Sequence, residues 1–411
     1  MKIQIIGGGG REHALAWRLA QSPQVTKIIA NPGNPGIAAV AECKPAPDIQ
    51  ACLHAAEQSQ VDLTVVGPEV PLVAGIVDLY RAKGRLIFGP TAAAAQLEGS
   101  KTFSKQFMTR AGIPTARFLT VTNLDDARTA LRSFSYPVVL KADGLAAGKG
   151  VVIAQNEQEA ETALPSLLSG GRLVVEEFLE GEEVSFIVLS DGNTALPLQP
   201  SQDHKAAYDG DTGPNTGGMG AYCDSRILTQ AQSQAIMDTV IEPTIATMRS
   251  EGTPFTGFLY AGLMMTANGP RVLEFNARLG DPETQALMHR MDGDFAEVLH
   301  AAARGDLKSA GLKWKNEPSV CVVLAAHGYP GAVRTGDPIH GVDQGDAVVF
   351  HAGTRIGPQG LETAGGRVLG VTASGPNLNE AIEKTYQAVN HIRFEGMHYR
   401  TDIGKKGLKR A

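Results

Sequence analysis

Residues 140–151, LKADGLAAGKGV, set a glycine-rich loop between two β-rich runs, YPVVLKAD before it and VVIA after it. The spacing departs from a Walker loop. Only three residues separate Gly144 from Gly148, and Gly150 rather than Ser or Thr follows Lys149. A P-loop also opens a helix, whereas this loop joins two strands. Such a loop can fold over a triphosphate, its amides meeting the oxygens while Lys141 and Lys149 neutralise charge. The alternative is a mobile hairpin with solvated lysines.

The flanking sequence reads as a small α+β unit with antiparallel strands. A helix over GSKTFSKQFMTRAG leads into IPTARF, a helical stretch over 124–133, the loop hairpin, a second helix near 157–168 and the strand RLVVEEFLEG. Upstream, residues 1–100 alternate strand-like runs (IQIIG, TKIIA, DLTVVG, RLIFG) with helical ones (HALAWRLAQS, LHAAEQ, VAGIVDLYRAKG). That alternation predicts a parallel, Rossmann-like sheet with crossover helices and ligands at the strand ends. Downstream come EEVSFIVLSDG, a polar loop over 202–222, a helix over 231–250 and the strands GFLYAGLMMTANG and RVLEFNARLG. KWKNEP marks a boundary before a C-terminal unit of short strands and one helix. The predicted class is therefore α/β and α+β multidomain. It has an N-terminal α/β domain over 1–100, a two-part α+β core over 101–308 with a mobile lid near 115–182, and a small β-rich domain over 319–411.

At 411 residues, 43% hydrophobic and 19% charged, the chain has the composition of an ordinary globular protein of several domains. Its net charge of -6 offers no basic surface for nucleic acid. The start, MKIQIIGGGGREHALAW, is unlike a signal peptide, and no stretch reaches the roughly 18 apolar residues of a membrane span, so a cytoplasmic location is expected. Cys43, Cys52, Cys223 and Cys321 lack the spacing of a zinc site or a disulfide framework.

In residues 272–285, VLEFNARLGDPETQ, period-two geometry sets Glu274, Asn276 and, if the strand persists, Arg278 on one face. Two oxygen ligands two residues apart suit Mg²⁺, which keeps water and substrate phosphates as its other ligands. Arg278 can hold a carboxylate or a transferring phosphoryl group. The dense run Asp281, Pro282, Glu283 and Thr284 follows. Glu176, Glu177 and Glu183 surround a break after Phe178, where backbone groups can meet an adenine edge and a carboxylate the ribose hydroxyls. In the polar loop, Asp203, His204 and Lys205 are candidate substrate contacts, with a solvated lid as the alternative. Gly7 to Gly10 form the first strand-to-helix turn, which suits either an anion or tight packing. Glu12, where a third fingerprint glycine would stand, argues against NAD.

These stretches together, with VVGPEVPLVAGIVD, FGPTAAAAQLEGSK, DTGPNTGGMGAY, GFLYAGLM, GYPG and FHAGT in the same order, resemble the glycinamide ribonucleotide synthetases of the ATP-grasp superfamily. The resemblance covers essentially the whole chain. It implies an ATP-dependent ligase joining glycine to 5-phosphoribosylamine through a glycyl phosphate, with Mg²⁺ or Mn²⁺, as a monomer. Lys105 and Lys141 would contact ATP phosphates, and the loop from Gly144 through Gly148, Lys149 and Gly150 would close over them. Glu176, Glu177, Phe178, Leu179 and Glu183 would hold adenosine, and Glu274 and Asn276 the metal. Arg278, Lys141 and Asp203 are the catalytic candidates. Gly8, Gly9, Gly10, Glu69, Asp203, Lys205, Arg278, Asp281, Pro282 and Glu283 are the substrate-binding ones. The chain departs from the family pattern at Gly8, Ala206 and Leu279 and in a short connection before Val174. A different ATP-grasp ligase or carboxylase, or a non-catalytic nucleotide-binding protein, is the rival reading.

Overall fold

The computed structural model describes residues 1–145, 150–343 and 345–410. Its N-terminal unit is a five-stranded parallel sheet in the order Glu42–Cys43, Lys27–Pro32, Lys2–Gly7, Leu63–Val66, Ile87–Phe88. Its central strands are runs of Ile, Leu and Val buried on both faces, as a sheet with helices on either side requires. The strand order reverses beside Lys2–Gly7. The turns at 7–10 and 67–69 therefore open side by side, where doubly wound sheets place their ligands.

Four antiparallel strands, ordered Phe118–Val121, Leu173–Glu177, Val138–Ala142, Val151–Ala154, form the predicted α+β unit. Helices Leu124–Leu131 and Glu157–Leu167, each capped by an asparagine side chain (Asn123, Asn156), cover one face. That face has its own apolar core around Val138, Leu140, Leu164 and Val175. Strand alternation leaves Ile153 exposed on the other face. Residues 178–181 carry no regular structure and link this sheet to the next, so the break predicted after Phe178 is a real connection between two sheets.

The central sheet runs Gly269–Asn276, Thr256–Thr266, Glu182–Asp191, Ser201–Asp203, Gly220–Cys223, Ser319–Ala325, Arg367–Ser374, Val348–His351. Three C-terminal strands extend this sheet through Ser319–Ala325 on Gly220–Cys223, while Thr354–Gly357 and Gly360–Thr363 form a separate hairpin. Helix Glu283–Arg290 is buried along nearly its whole length, between helix Gly10–Leu19 and the central sheet.

The stretch 202–222 is not the long loop its composition predicts. It begins and ends as strands of the central sheet, Ser201–Asp203 and Gly220–Cys223, with the hairpin Ala206–Tyr208 and Thr212–Asn215 between them. Asp209, Gly210 and Asp211 sit at the hairpin bend, where Gly210 and Asp211 adopt positive φ.

Candidate active site

A cleft of about 440 Å³ lies where the three units meet. The helix Lys101–Arg110 and the strand Val138–Ala142 supply its buried lysines. Lys105 and Lys141 both reach one oxygen of Glu176, at 3.0 and 3.1 Å. Lys105 also donates to Thr115 Oγ1 at 2.7 Å, and Lys141 to the Leu273 carbonyl at 2.9 Å. Burial outweighs Glu176 and lowers the Lys105 ammonium to about 8. Two cations on one carboxylate leave surplus positive charge, which suits a phosphate chain. The second Glu176 oxygen is buried and has no partner among the described residues.

Glu176 and Glu177 therefore differ. Successive side chains of a strand point to opposite faces, so Glu176 turns onto the lysines while Glu177 accepts the Arg117 amide at 2.8 Å. Phe178 is exposed in the connecting segment and Leu179 half-buried. Glu183 pairs with Lys205 at 2.9 Å. Gly144 and Gly150 line the cleft as the roots of the glycine loop. Its predicted phosphate contacts Gly148 and Lys149 lie outside the described residues.

The strand Gly269–Asn276 ends at Asn276, so Arg278 is not on it, yet its side chain turns into the same cleft. Arg278 Nη2 donates to Asn276 Oδ1 at 3.1 Å and pairs with Glu98 at 2.8 Å, while its Nε lies 3.4 Å from Glu69. Against its own burial, Glu274 is held below the usual carboxylate range by Lys205, Lys141, Lys101 and Arg278. Glu274 and Asn276 fit a hard cation, being two oxygen donors on one strand of which one is a stably ionised carboxylate. Among the described residues no group of three or more His, Cys, Asp or Glu could hold a metal, so substrate and water oxygens would complete the shell.

Asp203 and Lys205 line the cleft, while the intervening His204 is buried and its Nε2 accepts from the Gly404 amide at 3.4 Å. Strand alternation removes His204 from the substrate contacts predicted for it. Burial raises Asp203 to about 7; Lys205 opposes that rise and Glu283, Glu183 and Glu274 add to it. Glu283 is fully buried and accepts hydrogen bonds from Tyr260 at 2.7 Å and Ser185 at 3.0 Å, which makes it a scaffold for the cleft wall. Asp281 accepts from Gln285 Nε2 at 2.8 Å, and its carbonyl accepts from Arg367 at 2.6 Å. Pro282 packs under Gly218.

Gly8, Gly9 and Gly10 are not among the residues lining the cleft. Glu12 accepts the Gly9 amide at 2.6 Å, so the anion drawn to this helix N-terminus is the chain's own carboxylate. A Cβ on Gly8 would lie 2.4 Å from the Gly33 carbonyl, so close packing explains that glycine. Arg11, held by Glu12 at 2.6 Å and the Leu279 carbonyl at 3.1 Å, is the cation that enters the cleft from this turn. Arg11, Glu98, Lys101, Tyr260 and Arg367 went unrecognised in the sequence. Glu98 and Lys101 flank the Ser100 cap of the helix Lys101–Arg110, the one local signal that could have drawn attention to them.

The chain matches, in order, the N domain (residues 1–98), the ATP-grasp (A) domain (99–284) and the C domain (319–406) of phosphoribosylglycinamide synthetase. Phosphoribosylamine-glycine ligase of Xylella fastidiosa (strain 9a5c) is 51% identical, covering 100% of this chain and 97% of its own length. That of Yersinia pestis is 50% identical over 100% of both. The crystal structure of phosphoribosylamine-glycine ligase from Thermotoga maritima has a TM-score of 0.87 at 33% identity, covering 98% of this chain and 100% of that one. Biotin carboxylase from Campylobacter jejuni, at 17% identity and a TM-score of 0.75, shares the fold alone. With three domain models matched in sequence order and relatives near half identical over their full length, the chain belongs to the phosphoribosylglycinamide synthetase family.

Proposed function

We propose that the chain uses ATP to join glycine to 5-phospho-D-ribosylamine, giving glycinamide ribonucleotide, ADP and phosphate through a glycyl phosphate, the second step of de novo purine synthesis. One observation carries this reading. Buried lysines, an ionised Glu274 and the Arg278 guanidinium converge on one cleft whose described lining contains neither cysteine nor histidine. Such a site favours transfer between bound substrates over attack by the protein. Lys105 and Lys141 meet the ATP phosphates, with Gly144 and Gly150 beside them. The connection from Glu176 to Leu179, with Glu183, borders adenosine. The Glu274 and Asn276 oxygens would hold Mg²⁺ or Mn²⁺, which would neutralise charge at the phosphates.

The glycine carboxylate attacks the γ-phosphorus, ADP leaves, and the ribosylamine amine then displaces phosphate from the acyl carbon. Arg278, fixed by Glu98 and Glu69, orients the carboxylate and meets charge on the transferring group. Glu69 and Arg11, the cation that follows the turn at Gly8, Gly9 and Gly10, border the ribosylamine. Asp281, Pro282 and Glu283 shape the wall between the two substrates. A cytoplasmic monomer completes the proposal. No described helix is long and apolar enough to cross a membrane, and the monomeric state follows the family resemblance. ADP release with ATP, glycine and freshly made ribosylamine tests the reaction. Turnover with bicarbonate and not with glycine would make the chain a carboxylase, and nucleotide binding without turnover would make it non-catalytic.

A further inference from the structure

The strand Glu182–Asp191 leaves the connection at 178–181 with one flank lacking a ladder. Along Thr256–Thr266 it is paired from its first residue, Glu182 with Met265 and Glu183 with Met264, but it meets the strand Ser201–Asp203 only at Ser185 and Ser201. Past that bridge a side chain takes the place of the strand. Gln202, buried at 4% exposure, donates through Nε2 to the Glu183 carbonyl at 2.7 Å and to the Glu182 carboxylate at 3.1 Å.

Which end of that amide faces Glu183 is decided by its other contacts. The Gln202 oxygen accepts from Arg410 Nη1 at 3.2 Å and from the Tyr222 hydroxyl, and Arg410 Nη1 also donates to that hydroxyl at 2.6 Å. Arg410 Nη2 pairs with the Glu182 carboxylate, closing a ring of four side chains. A guanidinium has donors and no acceptor, so it fixes the polarity of the ring. The Tyr222 hydroxyl must donate to the Gln202 oxygen, and the Gln202 nitrogen is left for Glu183. Turned the other way, the amide would set its oxygen against the Glu183 carbonyl. Packing holds Arg410 where it is. The short helix Lys405–Lys409 lies so close over Tyr222 that a Cβ on Gly407 would come 2.7 Å from a carbon of its ring. The fully buried Arg400 ties the same segment down through Asp402 at 2.7 Å and Asp211 at 3.0 Å.

The Glu183 carboxylate, whose backbone this ring holds, pairs with Lys205 at 2.9 Å, and Lys205 lines the cleft. Arg410 is not among the lining residues. We infer that Arg410 is a positioning residue for the nucleotide, which through Gln202 sets the backbone of Glu183 and hence the reach of that carboxylate to the ribose hydroxyls of ATP, a role that rests on the reading of Glu183 as an adenosine contact given above.

Equilibrium binding of ATP with Mg²⁺ to the full chain, followed by calorimetry without glycine or ribosylamine, reads the effect directly. Arg410→Met should raise the Kd for ATP about fivefold, the scale of one misplaced hydrogen bond, and Arg410→Lys, which keeps a charged donor, should recover part of that loss. 2′,3′-Dideoxy-ATP lacks the hydroxyls in question. The unaltered chain should bind it more weakly than ATP, and Arg410→Met should change its Kd by less than about twofold, since no such hydrogen bond is there to lose. Glu182→Gln, at a half-exposed position, removes the ion pair without touching the core and should show the same selective loss in smaller measure. Equal weakening of both nucleotides, or a lower midpoint of thermal unfolding in Arg410→Met with the Kd for ATP unchanged, would overturn the inference. So would equal binding of the two nucleotides by the unaltered chain, a result that needs no variant to fold. ATP binding that discriminates in this way, with no amide formed from glycine and ribosylamine, would sink the ligase reading and leave Arg410 its role.

Discussion

Glu98 and Arg278 meet at 2.8 Å beneath the cleft, and the second Glu98 oxygen accepts the Ala277 amide at 2.7 Å. One carboxylate thus fixes both the guanidinium and the backbone just before it. Glu98→Gln keeps an oxygen for the Ala277 amide and removes the charge. We expect it to cost about 1.5–3 kcal/mol of stability, the range for a hydrogen bond to a charged group, measured by urea unfolding. Because a misplaced guanidinium no longer orients the carboxylate, kcat should fall by roughly tenfold to a hundredfold. An unchanged kcat in a destabilised variant would make Glu98 purely structural.

Lys105 makes activity and stability respond to pH in opposite directions. Its ammonium titrates near 8 when folded, below its ordinary value of 10.5. Between these values the folded chain binds fewer protons than the unfolded one, so this residue's contribution to stability rises with pH across that window. The charged form is the one that meets phosphate. The kcat/KM for ATP should therefore decline above about pH 8, approaching tenfold per pH unit, while the midpoint of thermal unfolding gains from Lys105. In Lys105→Met the decline should disappear.

Glu274→Ala should leave the fold intact, since that carboxylate has no hydrogen-bonded partner among the described residues to strand. Activity should fall at least about a hundredfold, the scale of a lost contact to transition-state charge. A titration with Mg²⁺ should show that more metal is required. Near-normal activity in a folded variant would remove Glu274 from the metal site.

The Glu12 carboxylate fills the mouth of the glycine turn, and a Cβ on Gly67 would lie 2.0 Å from its Oε1. Glu12→Ala should cost about 1–2 kcal/mol through the lost cap. Gly67→Ala should be damaging alone and better tolerated in the Glu12→Ala background, because the obstruction is that side chain. A double-mutant cycle by chemical denaturation measures the coupling, and strict additivity would contradict the contact.

How much was legible in the sequence follows from which forces are local. The parallel sheet was readable because IQII, KIIA and LTVV are apolar runs separated by helical stretches, and the hairpin around the glycine loop because Val138–Ala142 and Val151–Ala154 are β-rich on both sides. The strands within 202–222 were not, since Asp203 pairs with Ala221 at the far end of the stretch, Ala206 with Asn215 inside it, and Gly220 with the distant Val322, pairings that a run of turn residues does not signal. For the same reason nothing near Ser319 signals that it joins the central sheet. In the site, Glu274, Asn276 and Arg278 could be grouped by strand period. Glu98 reaches Arg278 only through tertiary packing, and in QLEGSK it looks like any helix glutamate. Glu12 reads in the sequence as an absent glycine, though a carboxylate three residues after a helix cap is also the residue that reaches back to it. Among the departures from the family pattern, Leu279 is buried in the apolar core and its carbonyl takes Arg11 and Arg278, so the backbone rather than the side chain faces the site.

The most direct measurement of the central claim follows the oxygen that the glycine carboxylate is said to pass to phosphorus. With glycine carrying heavy oxygen at both carboxyl positions, ATP and ribosylamine, the phosphate released should contain one heavy oxygen for each amide formed, because the carboxylate attacks the γ-phosphorus and leaves that atom behind. Phosphate free of label, with amide still produced, would contradict a glycyl phosphate and the account of this cleft built upon it.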